Sequence, residues 1–214
     1  MSRRGLQAVL MLALLAPIAA CVTGPRPPPW QTVILHADRQ RLAALWDAWT
    51  RALATADKAG DTAALAAFGP LTDPKAAVSG ALPGAGVYTC RSVRIGIRAD
   101  RMVPSAPTGP AMLASEPALC TISMRGKLLW FEQSEGVQRV GGQLYPDPGR
   151  TDGDRLVFLG SMALPGEAGF MRYGADAERD QVGVIRPLGP GLWRLELPWP
   201  MWQSDLRVIE IRAE

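Results

Sequence analysis

Short runs of alternating apolar and polar residues dominate the chain from residue 87 to its C terminus. In the clearest run, Trp193, Leu195 and Leu197 alternate with Arg194 and Glu196, so the apolar side chains should face inwards and the charged ones outwards. Runs of this kind, bounded by glycine and proline, predict strands at 87–97, 120–124, 128–133, 137–145, 156–164, 182–186, 192–199 and 206–212, with a brief one at 170–173. Because no helical pattern interrupts them, we expect an antiparallel sheet.

A helical pattern precedes the strands. Asp38 and Asp61 stand where helix N-caps are expected, and Gly60 separates a long first helix from a short second one at 62–68. The apolar positions of the first helix recur at intervals of three and four residues: Leu42, Leu45, Trp46, Trp49 and Leu53. We expect this stripe to pack on the domain's own sheet; the alternative is a face that binds a partner protein.

The predicted fold is therefore mainly β (α+β), a small antiparallel β-barrel-like or sandwich domain with one long and one short N-terminal helix packed on it. A single folded domain should span 32–214, with helices at 38–68 and the β region at 87–214. Within the β region, residues 99–117 are rich in proline and are expected to form a long loop. Tyr88 and Cys90 have the opposite parity to the apolar residues that follow them, which suggests a β-bulge there.

The first 21 residues have the pattern of a secretory signal peptide, with two early arginines, an apolar run and small residues before a cleavage point. The run ends in Ile18-Ala19-Ala20-Cys21, which resembles the lipobox of bacterial lipoproteins, where the cysteine is acylated and becomes the first mature residue. We expect a lipid anchor, such as palmitate, at Cys21 and a proline-rich tether at 22–31. Val22 favours the periplasmic face of the outer membrane. An ordinary signal peptide with an incidental cysteine is the alternative.

Charge indicates no particular partner. The formal net charge is +3, and loss of Arg3 and Arg4 with the signal peptide would bring the chain nearer to neutrality. A nucleic-acid-binding domain should carry a concentrated basic face, whereas acidic and basic residues are interspersed in this chain. The expected partners are the membrane, through the anchor, and an unidentified protein or small molecule, with no nucleic acid.

Two cysteines remain once Cys21 is assigned to the lipid anchor. Cys90 and Cys120 form an even pair in an oxidising compartment, where a disulfide is the default. Their spacing is unlike the close Cys-x-x-Cys arrangement of redox sites. A structural disulfide between them is therefore predicted.

Few residues are suited to catalysis. His36 is the only histidine, and the chain contains no Gly-x-Ser-x-Gly, His-Glu-x-x-His or glycine-rich phosphate motif. Asp147, Asp152 and Asp154 are interpreted as turn residues because their spacing matches no EF-hand loop. We expect no cofactor and no metal, and the balance favours a protein that is not an enzyme.

One dense charged segment remains, from Arg172 to Asp180. Arg172, Tyr173, Arg179 and Asp180 form the candidate ligand-binding site, because arginine binds anionic groups in a bidentate manner. The alternative is an arginine–carboxylate network that stabilises the mouth of a barrel.

Several motifs together carry a family resemblance. They are the lipoprotein signal, the Ala-Asp-Arg that opens the first helix, Tyr-x-Cys-Arg, Arg-Tyr-Gly-x-Asp-x-Glu-Arg-Asp-x-Val-Gly-Val and a final Trp-Arg-Leu-x-Leu-Pro. Together they resemble domain-of-unknown-function family 4893, small exported proteobacterial proteins, over the stretch from Trp30 to Glu214. The resemblance implies the compartment and the domain boundaries, and it implies no activity.

The leading hypothesis is a non-enzymatic envelope lipoprotein that acts as a binding or interaction module. One alternative is a carboxylate-dependent hydrolase of cell-envelope material, which would need two acids across one cleft. The other is a periplasmic β-barrel resembling protease inhibitors, which rests on an analogy of fold alone.

Overall fold

The computed structural model describes residues 29–97, 110–151, 153–200 and 204–214. The helices are α1 (Trp30–Val33), α2 (His36–Ala43), α3 (Leu45–Lys58) and α4 (Thr62–Ala66), followed by a 3-10 turn at Gly69–Leu71. The strands are β1 (Gly86–Ile97), β2 (Met112–Ala114), β3 (Ala118–Arg125), β4 (Leu128–Gln133), β5 (Arg139–Asp147), β6 (Arg155–Ala163), β7 (Asp180–Gly189), β8 (Leu192–Pro198) and β9 (Ser204–Arg212). Cys21, the signal peptide and most of the expected tether lie outside the described residues.

Eight of these strands close into an antiparallel barrel. Strands β3 to β9 follow one another around the barrel, each paired with the next, and β1 pairs with both β9 and β3. The remaining strand, β2, pairs with β1 at residues 93–95, beyond the part that pairs with β3. Of the two predicted architectures, the barrel is therefore the one that is found. Closure satisfies the edges that an open sheet would leave exposed.

The barrel wall is buried on both of its faces where the helices cover it. Tyr88 and Cys90 point into the barrel, whereas Val93 and Ile95 on the same strand point outwards and pack beneath the helices. The pairing of β1 with β9 runs without a shift from Thr89 to Ile95. The apolar residues of β1 therefore switch from even to odd positions because both faces of the strand are buried. The suggested bulge at Cys90 is absent.

Helix α3 holds the helical layer against the barrel. Its apolar stripe includes three alanines with no exposed surface, at positions 48, 52 and 56, and these small side chains let the helix backbone approach β1 closely. A Cβ added at Gly96 would lie 2.9 Å from the Cα of Ala52, and Gly96 also has a positive φ of 74°. Trp49 is buried, as predicted, but Trp46 is 56% exposed, so the prediction that Trp46 packs on the sheet is wrong.

The predicted helix caps and boundaries also need correction. The long helix is divided in two by Ala44, whose φ of −95° and ψ of 21° are not helical, and α2 begins two residues before Asp38. Asp61 occupies the N-cap position of α4, but its carboxylate accepts a hydrogen bond from the Ala111 amide. Residues 170–173 form no strand, and the predicted loop at 99–117 contributes β2.

The predicted disulfide is confirmed. Cys90 and Cys120 lie on the inner faces of β1 and β3, which are paired, and their Cα atoms are 5.8 Å apart. The bond joins two cysteines that are 30 residues apart in the sequence. It therefore ties the first strand of the barrel to the strand that follows the long connection.

Within the described part of the chain, no helix has both the length and the apolar character needed to cross a membrane.

Candidate functional site

A cleft of about 450 Å³ opens between the helical layer and the outer face of β6, β7 and β8. Arginine and tryptophan dominate its walls. The lining residues that carry charge or a large ring are Trp30, Arg39, Trp46, Trp49, Arg150, Arg155, Arg186 and Glu196.

Strand pairing assembles the charged floor of this cleft. Asp147 of β5 lies opposite Arg155 of β6, and Arg186 of β7 lies opposite Arg194 of β8. Glu196 follows two residues after Arg194 and therefore points to the same side of β8. Residues that are far apart in the sequence thus form one row of charges across four neighbouring strands.

Glu196 anchors the tryptophan wall of the cleft to the barrel. Its Oε2 accepts a hydrogen bond of 2.9 Å from the Trp49 indole, and its Oε1 accepts two from Arg194, at 3.0 and 3.2 Å. The Arg194 guanidinium also lies 4.7 Å from the centre of the Trp49 ring. Since Arg186 Nε is 3.8 Å from the same carboxylate, Glu196 is shared between two arginines and a tryptophan.

Asp147 has the same role at the other side of the cleft. It accepts hydrogen bonds from the Trp30 indole at 3.2 Å and from Arg155 Nε at 2.8 Å. Burial lowers the pKa of Arg155, an effect that its contacts with Asp147 oppose and that the nearby charges of Arg150 and Arg186 strengthen. Both buried acids are therefore engaged in holding the walls in place.

The balance of charge in the cleft is positive. Among the described residues four arginines line it against one lining carboxylate, that of Glu196, while Asp147 pairs with Arg155 and lies 4.0 Å from Arg150. Two of these arginines, Arg39 and Arg150, are exposed near the mouth, together with Trp46. An anionic ligand entering the cleft would meet guanidinium donors and an accessible indole ring.

The structure divides the ligand site that the sequence predicted at 172–180. Tyr173 and Asp180 lie in a knot of hydrogen bonds beneath α2, where the Tyr173 hydroxyl donates to Asp38 at 2.6 Å and accepts from the Leu35 amide at 3.1 Å. Arg41 bonds both to the Asp38 carboxylate, at 2.8 Å, and to the carbonyl oxygen of Asp180, at 3.1 Å. This knot fastens α2 to the start of β7.

Burial raises the pKa of two groups in that knot, Asp180 and Tyr173. It raises the pKa of Asp180, with Asp38 as a further cause, and only the amide of Gly174 and the charge of Arg41 oppose the change. Burial and the hydrogen bond to Asp38 raise the pKa of the Tyr173 hydroxyl. Oδ2 of Asp180 is buried without a hydrogen-bond partner, which makes the charged carboxylate costly.

The two arginines of the predicted site lie elsewhere. Arg179 pairs with Glu167 and, at 3.5 Å, with Asp176, all within the loop between β6 and β7. Arg172 lines a cavity of about 250 Å³ beside Trp130, and Tyr173 lines the same cavity. Of the four predicted residues, the structure therefore brings Arg172 and Tyr173 to one cavity, whereas Arg179 and Asp180 do not line it.

The described residues contain no group of three or more histidine, cysteine, aspartate or glutamate side chains placed to hold a metal ion. Two of the turn aspartates have other partners, since Asp147 binds Arg155 and Asp154 accepts a hydrogen bond from the Gly149 amide. Asp152 lies outside the described residues.

A family model, Domain of unknown function (DUF4893), matches residues 30–211. The chain belongs to this family. The match begins at the first residue of α1 and ends within β9, so the family's domain comprises the helical layer together with the barrel. No curated protein and no solved structure matches the chain.

The sequence patterns did not identify the residues of the cleft, because their burial depends on contacts between segments that are far apart in the chain. Alternation along β8 correctly assigned Arg194 and Glu196 to the outer face, but it predicted that they point to solvent. They are 0% and 3% exposed because α3 covers that face. One sequence pattern could have indicated this burial: the apolar stripe on α3 requires some face of the sheet to lie beneath the helix.

Proposed function

We propose that this protein is a lipid-anchored protein of the bacterial envelope that binds an anionic ligand in the cleft between its helices and its barrel. The observation that supports the site most directly is the meeting of four arginines and three tryptophans around one open cleft with a single lining carboxylate. Acidic saccharides are the ligand class that we favour, because they combine carboxylate groups with rings whose faces can lie on Trp46. The protein has no catalytic role in this proposal.

The ligand proposal is tested by calorimetric titration of the purified protein with tetragalacturonate, using neutral maltotetraose as the control ligand. We expect saturable binding of the acidic saccharide alone. Arg150→Gln should weaken it by about tenfold or more, since a lost hydrogen bond to a charged group costs about 1.5–3 kcal/mol. Trp46→Ala should also weaken it, because it removes the ring on which the face of a sugar would lie. Both side chains are exposed, so the fold should be unaffected.

Arg125→Gln is the matched control for these variants. Arg125 is an exposed arginine that lies over a tryptophan ring, 4.0 Å from the centre of Trp130, and it does not line the cleft. Its replacement should leave binding unchanged. Binding of wild-type strength in Arg150→Gln and Trp46→Ala would contradict the proposed site.

The envelope anchor is tested in cells. Cys21→Ser should abolish palmitate labelling and release the protein from the membrane fraction. Val22→Asp should keep the label and move the protein to the inner membrane. Unchanged labelling of Cys21→Ser would refute the anchor, and outer-membrane fractionation of Val22→Asp would refute the sorting argument.

The hydrolase alternative rests on Asp38 and Asp180, two neighbouring carboxyl groups of which the second has a raised pKa. They are 4% and 1% exposed, so a polymeric substrate would reach them only if α2 moved. Cleavage of tetragalacturonate that is lost in Asp180→Asn would favour the hydrolase over the binding module. No contact in the described part of the chain adds support to a protease inhibitor.

A further inference from the structure

The inside of the barrel changes character from one end to the other. At one end Tyr88 and Trp193 stack edge to face with ring centres 5.7 Å apart, among other apolar side chains. At the opposite end lies a cavity of about 280 Å³, between β1, the start of β9, the β4–β5 turn and the segment that follows β2. Its lining is mixed: apolar side chains lie beside polar and charged ones, among them Arg94 and Arg207.

Neutral groups hold the guanidinium of Arg207. Its Nε and Nη2 donate to Oγ of Ser92 at 3.2 and 2.8 Å, Nη2 also donates to Oε1 of Gln133 at 3.0 Å, and Nη1 donates to the Gln138 carbonyl at 2.8 Å. These contacts use four of its five N–H donors and leave one on Nη1. In the described part of the chain, no carboxylate forms an ion pair with Arg207.

A second arginine intensifies the positive charge. Arg94 lies directly opposite Arg207 on the paired strand, and its Nη1 donates to Oε1 of Gln138 at 3.1 Å. Like charges in directly opposed positions are unfavourable. Burial, with the charge of Arg94 as a further cause, lowers the pKa of Arg207 to about 9. Arg207 therefore remains charged at neutral pH, where an anion beside it would offset the cost of its burial.

The outer part of the same cavity is acidic. Glu116 and Glu135 line it and are exposed, whereas Arg207 is 7% exposed and Arg94 is partly buried. The cavity is thus positive inside and negative at its rim. A ligand whose carboxylate points inwards and whose ammonium group points outwards matches this order of charges.

We propose that this end of the barrel binds a small zwitterionic carboxylate of the amino-acid class, with its carboxylate on Arg94 and Arg207 and its ammonium group between Glu116 and Glu135. The volume of about 280 Å³ lies just below the range of about 300–1,000 Å³ for sites that hold drug-sized molecules, which suits a smaller ligand of this kind. This site is inside the barrel and is independent of the cleft on the outer face.

The test is a titration of the purified protein with L-alanine and L-glutamine at constant ionic strength, followed by calorimetry and by thermal unfolding. Acetate and methylamine serve as probes that carry only one of the two charges. We expect saturable binding of the amino acids, a rise in melting temperature with ligand concentration, and at least tenfold weaker binding of either single-charge probe.

Variants separate the two ends of the ligand. Arg94→Gln and Arg207→Gln should each weaken amino-acid binding by at least tenfold. The double variant Glu116→Gln/Glu135→Gln should reduce it to the level of acetate. Arg212→Gln, which changes an exposed arginine of the same strand, should bind as the wild type does.

Three results would overturn the proposal: no saturable amino-acid binding by the wild type, acetate binding as strong as that of the amino acids, or an unchanged affinity in Arg94→Gln. If Arg207→Gln does not fold, the Arg94→Gln variant decides, because Arg94 is only partly buried.

Discussion

Arg194 and Arg207 lie on neighbouring strands of the barrel, β8 and β9, and both are almost completely withdrawn from solvent. Arg194 points to the outer face, where Glu196 neutralises it and the carbonyl oxygens of Pro70, Leu71 and Asp73 accept hydrogen bonds from its Nη1. Arg207 points into the barrel, where its protein partners are neutral.

The difference separates two uses of a buried guanidinium. A cation that a carboxylate and several carbonyls surround is fully satisfied and fastens elements together. In this protein Arg194 joins the 3-10 turn and the residues directly after it to the barrel wall. A cation with only neutral partners keeps an uncompensated charge, which is why the proposed amino-acid site is centred on Arg207. Burial alone therefore does not distinguish a structural arginine from a binding one.

The largest expected effect tests this distinction directly. Arg194→Met should lower the free energy of unfolding by about 3–5 kcal/mol, because it leaves the Glu196 carboxylate buried without its main ion pair. Arg207→Gln should cost less, about 1–2 kcal/mol, since it loses hydrogen bonds and removes a costly charge at the same time. Urea unfolding of both variants measures the two losses.

The double variant Arg194→Met/Glu196→Gln is the control for that measurement. It should recover part of the loss, because the amide still accepts from the Trp49 indole while the isolated charge is gone. Equal losses in Arg194→Met and Arg207→Gln would remove the basis of the comparison.

The next effect concerns the two tryptophans of α3 that line the outer cleft. Trp49→Ala should cost about 3–5 kcal/mol, because it empties a buried site that is 2% exposed and releases the hydrogen bond to Glu196. Trp46→Ala should change stability by no more than about 0.5 kcal/mol, as for other exposed positions. Chemical unfolding measures both free energies of unfolding. A large loss of stability in Trp46→Ala would show that the Trp46 ring supports the fold, which would contradict its role as an exposed surface for ligand.

The smallest effect is a dependence on pH at the knot beneath α2. Burial raises the pKa of Asp180, so between its unfolded value of about 3.9 and its raised value the folded state holds a proton that the unfolded state has lost. In that window the free energy of unfolding falls as pH rises. Asp180→Asn should therefore gain stability relative to the wild type between acidic and neutral pH, as measured by urea unfolding across the range. Parallel curves for the two proteins would contradict this account.

Much of the fold was predictable because it depends on local patterns. Alternation placed most of the barrel strands within a few residues of their observed bounds, and the inner faces of β1 and β3 explain the disulfide that Cys90 and Cys120 form. The helical stripe identified Trp49 correctly. It failed at Trp46 because a spacing of three or four residues defines a broad stripe, and the actual line of contact follows Leu45, Ala48 and Ala52.

The candidate sites were less predictable. The segment 172–180 is dense in charge along the chain, yet its members face different surroundings once folded, with Asp180 under α2 and Arg179 paired with Glu167 in the loop between β6 and β7. Arg207 gave no signal of its own, since it is one of four charged residues in β9 and nothing in the sequence sets it apart from the other three. Its importance follows from Arg94, which strand pairing places opposite it from more than a hundred residues away.

The sequence by itself determined the periodicities, and with them the strands, the helices and the pairing of two cysteines, because backbone geometry fixes which neighbours along the chain share a face. The tertiary structure alone decided which of those faces is covered and which charges meet. Closure of the barrel brings β1 beside β9, and the packing of α3 on the outer face of the barrel buries Arg194 and Glu196. Both depend on contacts between segments far apart in the chain, and the energy of a charge depends on those contacts rather than on its neighbours in sequence.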